Sequence, residues 1–276
     1  MPDAFYVPEG PLSGEAAGSA GCARSYFRST ELTRGPWDPG SQHAGPPCAL
    51  LGREMDRAGA LDPARVARAT FEILRPVPIA PLEVKARVVR PGRSVELVEG
   101  SLNAGDSEIL RARAWRVRAT ELELDGPALQ DEPMAPPSEA EPRDFFPTGQ
   151  DVGYHTAMEV RFVSGAYLEP GPARAWMRMR GPLVQGEETS PLDRVLVAAD
   201  SGNGVSAPLD YRLWLFINAD LSVALRRLPR GEWVGLDAAT YAEPDGIGLS
   251  DTRLYDEDGA IGRATQSLLV GPRPGG

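Results

Sequence analysis

The 276-residue sequence predicts an α+β protein of two similar halves, each an antiparallel sheet wrapped around one central helix. Three observations carry that expectation. Short segments that alternate apolar and polar residues recur along the chain, punctuated by turn residues. Two stretches carry a helical apolar stripe, and a run of strand-like segments follows each. An acidic, proline-rich stretch separates the two sets. The expected organisation is an N-terminal domain over residues 1–120, a linker over 121–150 and a C-terminal domain over 151–276.

In the first half, Ala4 to Val7 and Ser25 to Arg28 read as one or two short strands. The run G-P-W-D-P-G-S-Q-H-A-G-P-P is a loop by its punctuation. It leads into a helix of about a dozen residues, with Pro46 and Pro47 at its start. Leu50, Leu51 and Met55 form its apolar side, and Gly59 stops it. Strands then follow over Arg65 to Leu74, around Leu82, Val84, Ala86 and Val88, over Ser94 to Leu102, and over Glu108 to Ala119. In the last of these Leu110, Ala112 and Ala114 face one way and Arg111 and Arg113 the other, the pattern of a sheet with one wet face. The linker, with A-P-P-S-E-A-E-P at its centre, reads as extended or partly disordered.

The second half repeats the plan. Ala157 to Phe162 and Ala173 to Arg180 are strand-like and precede a loop, G-P-L-V-Q-G-E-E-T. One helix is expected over Ser190 to Gly204: Ser190 suits the N-cap, Pro191 the first turn and Asp193 the positive helix start. Leu192, Val195, Leu196 and Ala199 make its stripe, and Gly202 or Gly204 would end it in the left-handed conformation. Strands follow over Arg212 to Asn218, Trp233 to Ala242, Gly246 to Tyr255 and Ala260 to Val270.

Composition excludes several function classes. Hydrophobic content of 42% and charged content of 25% are those of a globular protein. No apolar run reaches the roughly 18 residues of a membrane span. The start of the chain has no secretory pattern, so cytoplasmic location is the default. A net charge of −10 argues against a nucleic-acid surface. Cys22 and Cys48 make no disulfide framework, which fits a reducing compartment. No metal or cofactor motif is present: there is no C-x-x-C, H-E-x-x-H, P-loop or G-x-S-x-G, and D-E-D-G at 256–259 reads as a hairpin turn.

Four polar residues stand out. Asp200 lies at the edge of the second helix's stripe, near its C-terminus, where a negative charge is disfavoured by about 0.3–1 kcal/mol. It is either a half-solvated carboxylate or one held for chemistry. Gln266 shares a strand face with Ala264, Leu268 and Val270, so it is either a buried amide with a functional partner or one bonded to backbone. Asn218, in N-A-D, is either a site residue or a strand-end turn residue. His43 is a loop histidine before a helix, a ligand contact or a structural hydrogen-bonder.

In the order and spacing of its motifs the chain resembles the double-hotdog, type II acyl-CoA thioesterases. The marks are H-A-G-P-P-C-A-L-L, F-E-I-L-R-P-V-P and V-V-R-P-G-R-S-V in the first half. In the second they are A-A-D-S-G, N-A-D-L-S, G-E-W-V and L-Y-D-E-D-G-A-I-G-R-A-T-Q-S. The resemblance covers roughly residues 24–120 and 155–272. It implies two fused hotdog domains, each a curved antiparallel sheet around a central helix, and hydrolysis of acyl-CoA to free acid and CoA in fatty acid metabolism. It also implies possible homo-oligomers through sheet edges. The family's site aspartate falls on Asp200, its glutamine on Gln266, and its hydroxyl position on Asn218, where a threonine is expected.

Attack of water on a thioester needs an acceptor for the water's proton and donors for the oxyanion. Asp200 would supply the first, with Gln266 and Asn218 fixing the water. A backbone N–H at the first helix start, at Gly45 or a neighbour, would supply the second, since Pro46 and Pro47 have none. The acyl chain would lie between the halves. The Asn218 departure favours a rival of another class, an acyl-thioester binding protein without turnover. A hotdog hydratase ranks last, because the second helix carries no histidine.

Overall fold

The computed structural model describes residues 3–10, 22–123, 125–126, 132–145 and 147–273. Residues 124, 127–131 and 146 of the expected linker, and both extreme ends of the expected domains, lie outside the described residues.

The first half runs β1 (Tyr6–Glu9), β2 (Ala23–Ser29), α1 (Gly45–Ala58), β3 (Ala64–Ile73), β4 (Pro81–Arg90), β5 (Val95–Ala104) and β6 (Ser107–Arg118). The second runs β7 (Glu141–Pro142), α2 (Tyr154–Ala157), β8 (Met158–Ala166), β9 (Glu169–Met179), α3 (Pro191–Ala199), α4 (Gly202–Val205), β10 (Trp214–Asn218), β11 (Asp220–Leu225), β12 (Val234–Ala242), β13 (Ile247–Asp256) and β14 (Gly259–Pro272). The named strands pair antiparallel, with one isolated parallel bridge from Tyr6 to Val184, and form one continuous sheet in the order β1-β2-β4-β5-β6-β3-β11-β14-β13-β12-β9-β8-β7, with β10 also on β14. The halves join where β3 pairs with β11, from Asp220 opposite Glu72 to Ala224 opposite Arg68.

Each half wraps its sheet round one main helix, as expected, and the two helices pack antiparallel on each other. Leu50, Leu51 and Met55 of α1 are fully buried, as are Val195, Leu196 and Ala199 of α3. Each of these leucine, valine and methionine side chains contributes about 1.5–3 kcal/mol on leaving water. Contact between the helices depends on two glycines. A Cβ on Gly45 would collide with the Val197 carbonyl oxygen, and one on Gly52 with the Leu196 side chain. Among the described residues no helix is long and apolar enough to cross a membrane.

The expected helix over Ser190 to Gly204 is in fact two. Its start is as read: the Ser190 hydroxyl accepts from Asp193 N–H at 3.1 Å, and Asp193 Oδ2 accepts from Ser190 N–H at 3.0 Å, closing a capping box. The helix ends early, at Ala199, where Ser201 N–H donates back to the Ala198 carbonyl at 2.9 Å in a tighter turn. Neither Gly202 nor Gly204 takes the left-handed conformation. Gly202 is required for space, because a Cβ there would collide with the Thr252 hydroxyl. A second departure is β11. Asp220 to Leu225 forms a strand that the sequence reading did not assign, so N-A-D is a kink between two strands that both pair with β14.

In the acidic stretch, the Trp176 indole N–H donates to the Ala135 carbonyl at 2.7 Å and β7 pairs with β8. These described residues lie against the outer part of the second sheet region.

Candidate active site

The break after α3 makes Asp200 the residue that closes that helix, pointing into the space where β10, β14 and the start of α1 meet. Its side chain is 4% exposed and yet nearly every oxygen position is used. Oδ1 accepts from Asn218 Nδ2 at 2.8 Å and from Gln266 Nε2 at 3.1 Å. Oδ2 lies 3.0 Å from His43 Nδ1. Three of the four residues singled out in the sequence thus surround the fourth, from elements up to 66 positions away within the second half and from the other half of the chain.

Each partner is held in turn. Gln266 faces inward with Ala264, Leu268 and Val270, as strand parity requires, and is almost completely buried. Its amide also donates to the Asp200 carbonyl at 3.1 Å, and its oxygen accepts from Asn203 N–H at 3.2 Å. The amide is therefore fully engaged as a strut on both sides of the helix break. Asn218 ends β10 with only its nitrogen on Asp200, leaving its oxygen as an acceptor.

The His43 ring lies face to face on Tyr154, with centroids 3.8 Å apart and planes 7° from parallel. Tyr154 is pinned by its hydroxyl, which donates to the Val197 carbonyl at 2.9 Å and meets the Ser201 hydroxyl at 2.9 Å. Burial pushes the Tyr154 phenol well above its usual range. It does the same to the Cys48 thiol, which sits in the first turn of α1, and the Asp200 charge adds to that rise. Tyr154 and Cys48 were not marked in the sequence reading. Neither carries a spacing signal, and only the meeting of α1, α2 and α3 brings them to Asp200.

Two groups of opposite kind face His43 Nδ1, a donor and an acceptor. Gly45 N–H points at it from 3.2 Å while Asp200 Oδ2 lies at 3.0 Å. An unprotonated Nδ1 would set its lone pair against the carboxylate. A proton on Nδ1 makes instead a charge-assisted bond, worth about 1.5–3 kcal/mol against about 1 for the neutral N–H···N contact. That comparison favours the proton on Nδ1, in which case Gly45 N–H has no acceptor on His43, and the two prolines that follow it have no N–H at all.

Two surface hollows, of about 400 Å³ around Lys85, Arg87 and Arg111 and about 280 Å³ around Arg180, Glu187 and Arg194, lie away from this cluster. Among the described residues no group of three or more His, Cys, Asp or Glu side chains could hold a metal.

Comparison with known proteins defines the class. The profile of the acyl-CoA thioesterase N-terminal domain matches residues 33–117, and that of the acyl-CoA thioesterase C-terminal domain matches residues 133–270. The chain belongs to the acyl-CoA thioesterase family. Its fold is shared with a candidate thioesterase II from Thermobifida fusca YX, at 18% identity and a TM-score of 0.74 over 90% of this chain and 92% of that one. An acyl-CoA thioesterase II from Mycobacterium marinum aligns at 16% identity and a TM-score of 0.66, over 91% and 93% of the two chains. A protein with a hot dog fold from Alicyclobacillus acidocaldarius aligns at 14% identity and a TM-score of 0.70, over 91% and 93%. At these identities the likeness establishes the hotdog fold. No curated protein matches the sequence significantly.

Proposed function

We propose that the protein hydrolyses acyl-CoA to free acid and CoA, with Asp200, Gln266 and Asn218 forming the polar frame at which water attacks the thioester. The observation that carries this is their convergence: a buried carboxylate within 2.8–3.1 Å of two side-chain amides that the sequence places on separate strands. Asp200 supplies the negative charge that favours departure of the water's proton. Gln266 fixes Asp200, and the free oxygen of Asn218 accepts from the water. Gly45 N–H faces the oxyanion, where one such donor is worth about 3 kcal/mol of barrier. His43 completes the wall against which the thioester rests. With Cys22 and Cys48 both free thiols, we place the reaction in the reducing cytoplasm.

The test is thiol release from acyl-CoAs of graded chain length. Turnover in the wild type, lost in Asp200→Ala and Gln266→Ala while the fold persists, is the expected result. One observation favours a second reading. Asn218 stands where a hydroxyl residue is expected, and its nitrogen already occupies Asp200. A protein of this fold that binds acyl-CoA and never releases thiol would follow from that, and tight binding without turnover in the same assay would establish it.

A further inference from the structure

We propose that His43, through Nε2, is the group that takes the proton from the attacking water, and that Asp200 serves to orient it. This rests on the hydrolase reading above and names the base within it. Asp200 is badly placed to take the proton itself. Its Oδ1 accepts from Asn218 and Gln266, its Oδ2 faces His43 Nδ1, and its side chain is almost sealed from solvent. His43 reaches outward, with its side chain 16% exposed, where Asp200 and Gln266 are buried. With Nδ1 turned to the carboxylate, Nε2 occupies the opposite edge of the ring, and it meets no protein partner among the described residues.

The imidazole is also rigidly held. Its face lies on Tyr154, and its backbone N–H donates to the Thr33 carbonyl at 2.8 Å. The preceding Gln42 accepts from the Tyr6 hydroxyl at 2.7 Å and donates to the Pro78 carbonyl at 2.7 Å. A carboxylate on Nδ1–H fixes the tautomer that leaves Nε2 bare, and it stabilises the imidazolium formed when Nε2 takes a proton.

The step balances without a further reactant. The water oxygen bonds to the thioester carbonyl carbon as its proton passes to Nε2, and the carbonyl π pair becomes an oxyanion facing Gly45 N–H. Collapse re-forms the carbonyl and breaks the C–S bond. The Nε2 proton then leaves on the thiolate sulfur, giving carboxylic acid, thiol and neutral His43.

The experiment is a pH profile of kcat/KM for thiol release by the full chain and by His43→Gln. Among the described residues, the titratable groups that feel the Asp200 charge are Cys48 and Tyr154. Burial keeps both protonated well above neutral pH, so neither supplies an acid limb, and the His43→Gln comparison separates His43 from His155. The expected result is a wild-type rate that falls on the acid side as Nε2 becomes protonated. His43→Gln should lose that limb together with about 100-fold or more of the rate. A folded His43→Gln variant that keeps both rate and limb overturns the assignment and leaves hydrolysis at Asp200 standing. A wild type that releases no thiol overturns the hydrolase reading and the base with it. Should His43→Gln not fold, nitrogen NMR of the wild type decides, since the chain has only two histidines. A proton on Nδ1 with a bare Nε2 is expected for His43, and a proton on Nε2 overturns the proposal.

Discussion

Asp193 provides a test of the helix packing that does not depend on catalysis. It sits in the first turn of α3 and is 2% exposed. Its Oδ2 accepts from Ser190 N–H, but its Oδ1 is buried and has no partner among the described residues. Burial outweighs the capping bonds and the nearby Arg53 and Arg57, and raises the carboxyl from 3.8 to about 6. The sign of the linkage follows. Between these values the folded chain holds a proton that the unfolded chain has lost, so this group's contribution is fully present below about pH 3.8. It is lost as pH rises through about 6, the reverse of an ion-paired carboxylate. The separation is worth about 3 kcal/mol, and roughly half of that is lost between about pH 5 and 8. Asp193→Asn keeps an acceptor for Ser190 N–H and cannot ionise. Urea unfolding of both proteins near pH 5 and near pH 8 isolates the effect, because every other titrating group is common to the pair. The stability of Asp193→Asn relative to wild type should improve by more than about 1 kcal/mol between the two pH values. An equal difference at both would refute the argument that this carboxylate is held ionised at a cost.

The two helix-contact glycines should respond differently to alanine. In Gly45→Ala the new methyl meets the backbone carbonyl of Val197, which cannot move without shifting α3 and Asp200; a loss of about 1–3 kcal/mol and a steep fall in thiol release are expected. In Gly52→Ala the methyl meets only the end of the Leu196 side chain, and alanine gains about 1 kcal/mol of helix propensity, so thermal unfolding should show a smaller loss. Arg116 is buried against Glu96, which is 1% exposed and also accepts from Leu61 N–H at 3.0 Å. Arg116→Met leaves that carboxylate without its cation, and urea unfolding should show a loss of about 3–5 kcal/mol.

Much of the fold could be read from local pattern, because strands with one wet face write their period into the sequence. Leu110, Ala112 and Ala114 point to the core and Arg111 and Arg113 to solvent, as their alternation requires. The capping box at Ser190 is equally local, a matter of three residues. What local pattern could not supply was the tertiary origin of the remaining features. β11 is flanked by β3 and β14, and its six residues do alternate, D-L-S-V-A-L, but the run is short and directly follows the turn-like N-A-D. Past the helix end at Ala199 the chain brings Gly202 against Thr252 on β13, a contact some 50 positions away that leaves no room for a Cβ. The site followed the same division. Strand parity and the helix dipole singled out Gln266 and Asp200 as unusual, the family resemblance gave them roles, and the structure brings the two into contact. The contact of His43 with Asp200 has no local signal, because it exists only where the loop before α1 meets the end of α3.

The antiparallel contact of α1 and α3 creates two similar junctions, each placing the start of one helix beside the end of the other, yet only one carries the features of a reaction site. At the far junction the carboxylates of Glu54 and Glu187 are paired with Arg53, and Glu187 also with Arg57. Guanidinium groups neutralise these charges, but they have no lone pair to accept a proton and do not give one up near neutral pH. That junction is therefore a fixed electrostatic bolt between the two halves. At the near junction Asp200 has no guanidinium partner among the described residues. Its partners are two neutral amides and one imidazole, and imidazole is the only one of these that exchanges protons in the physiological range. The duplicated architecture thus provides two frames, and the group set against the carboxylate, arginine at one end and histidine at the other, is what makes only the second a candidate for proton transfer in the proposed reaction.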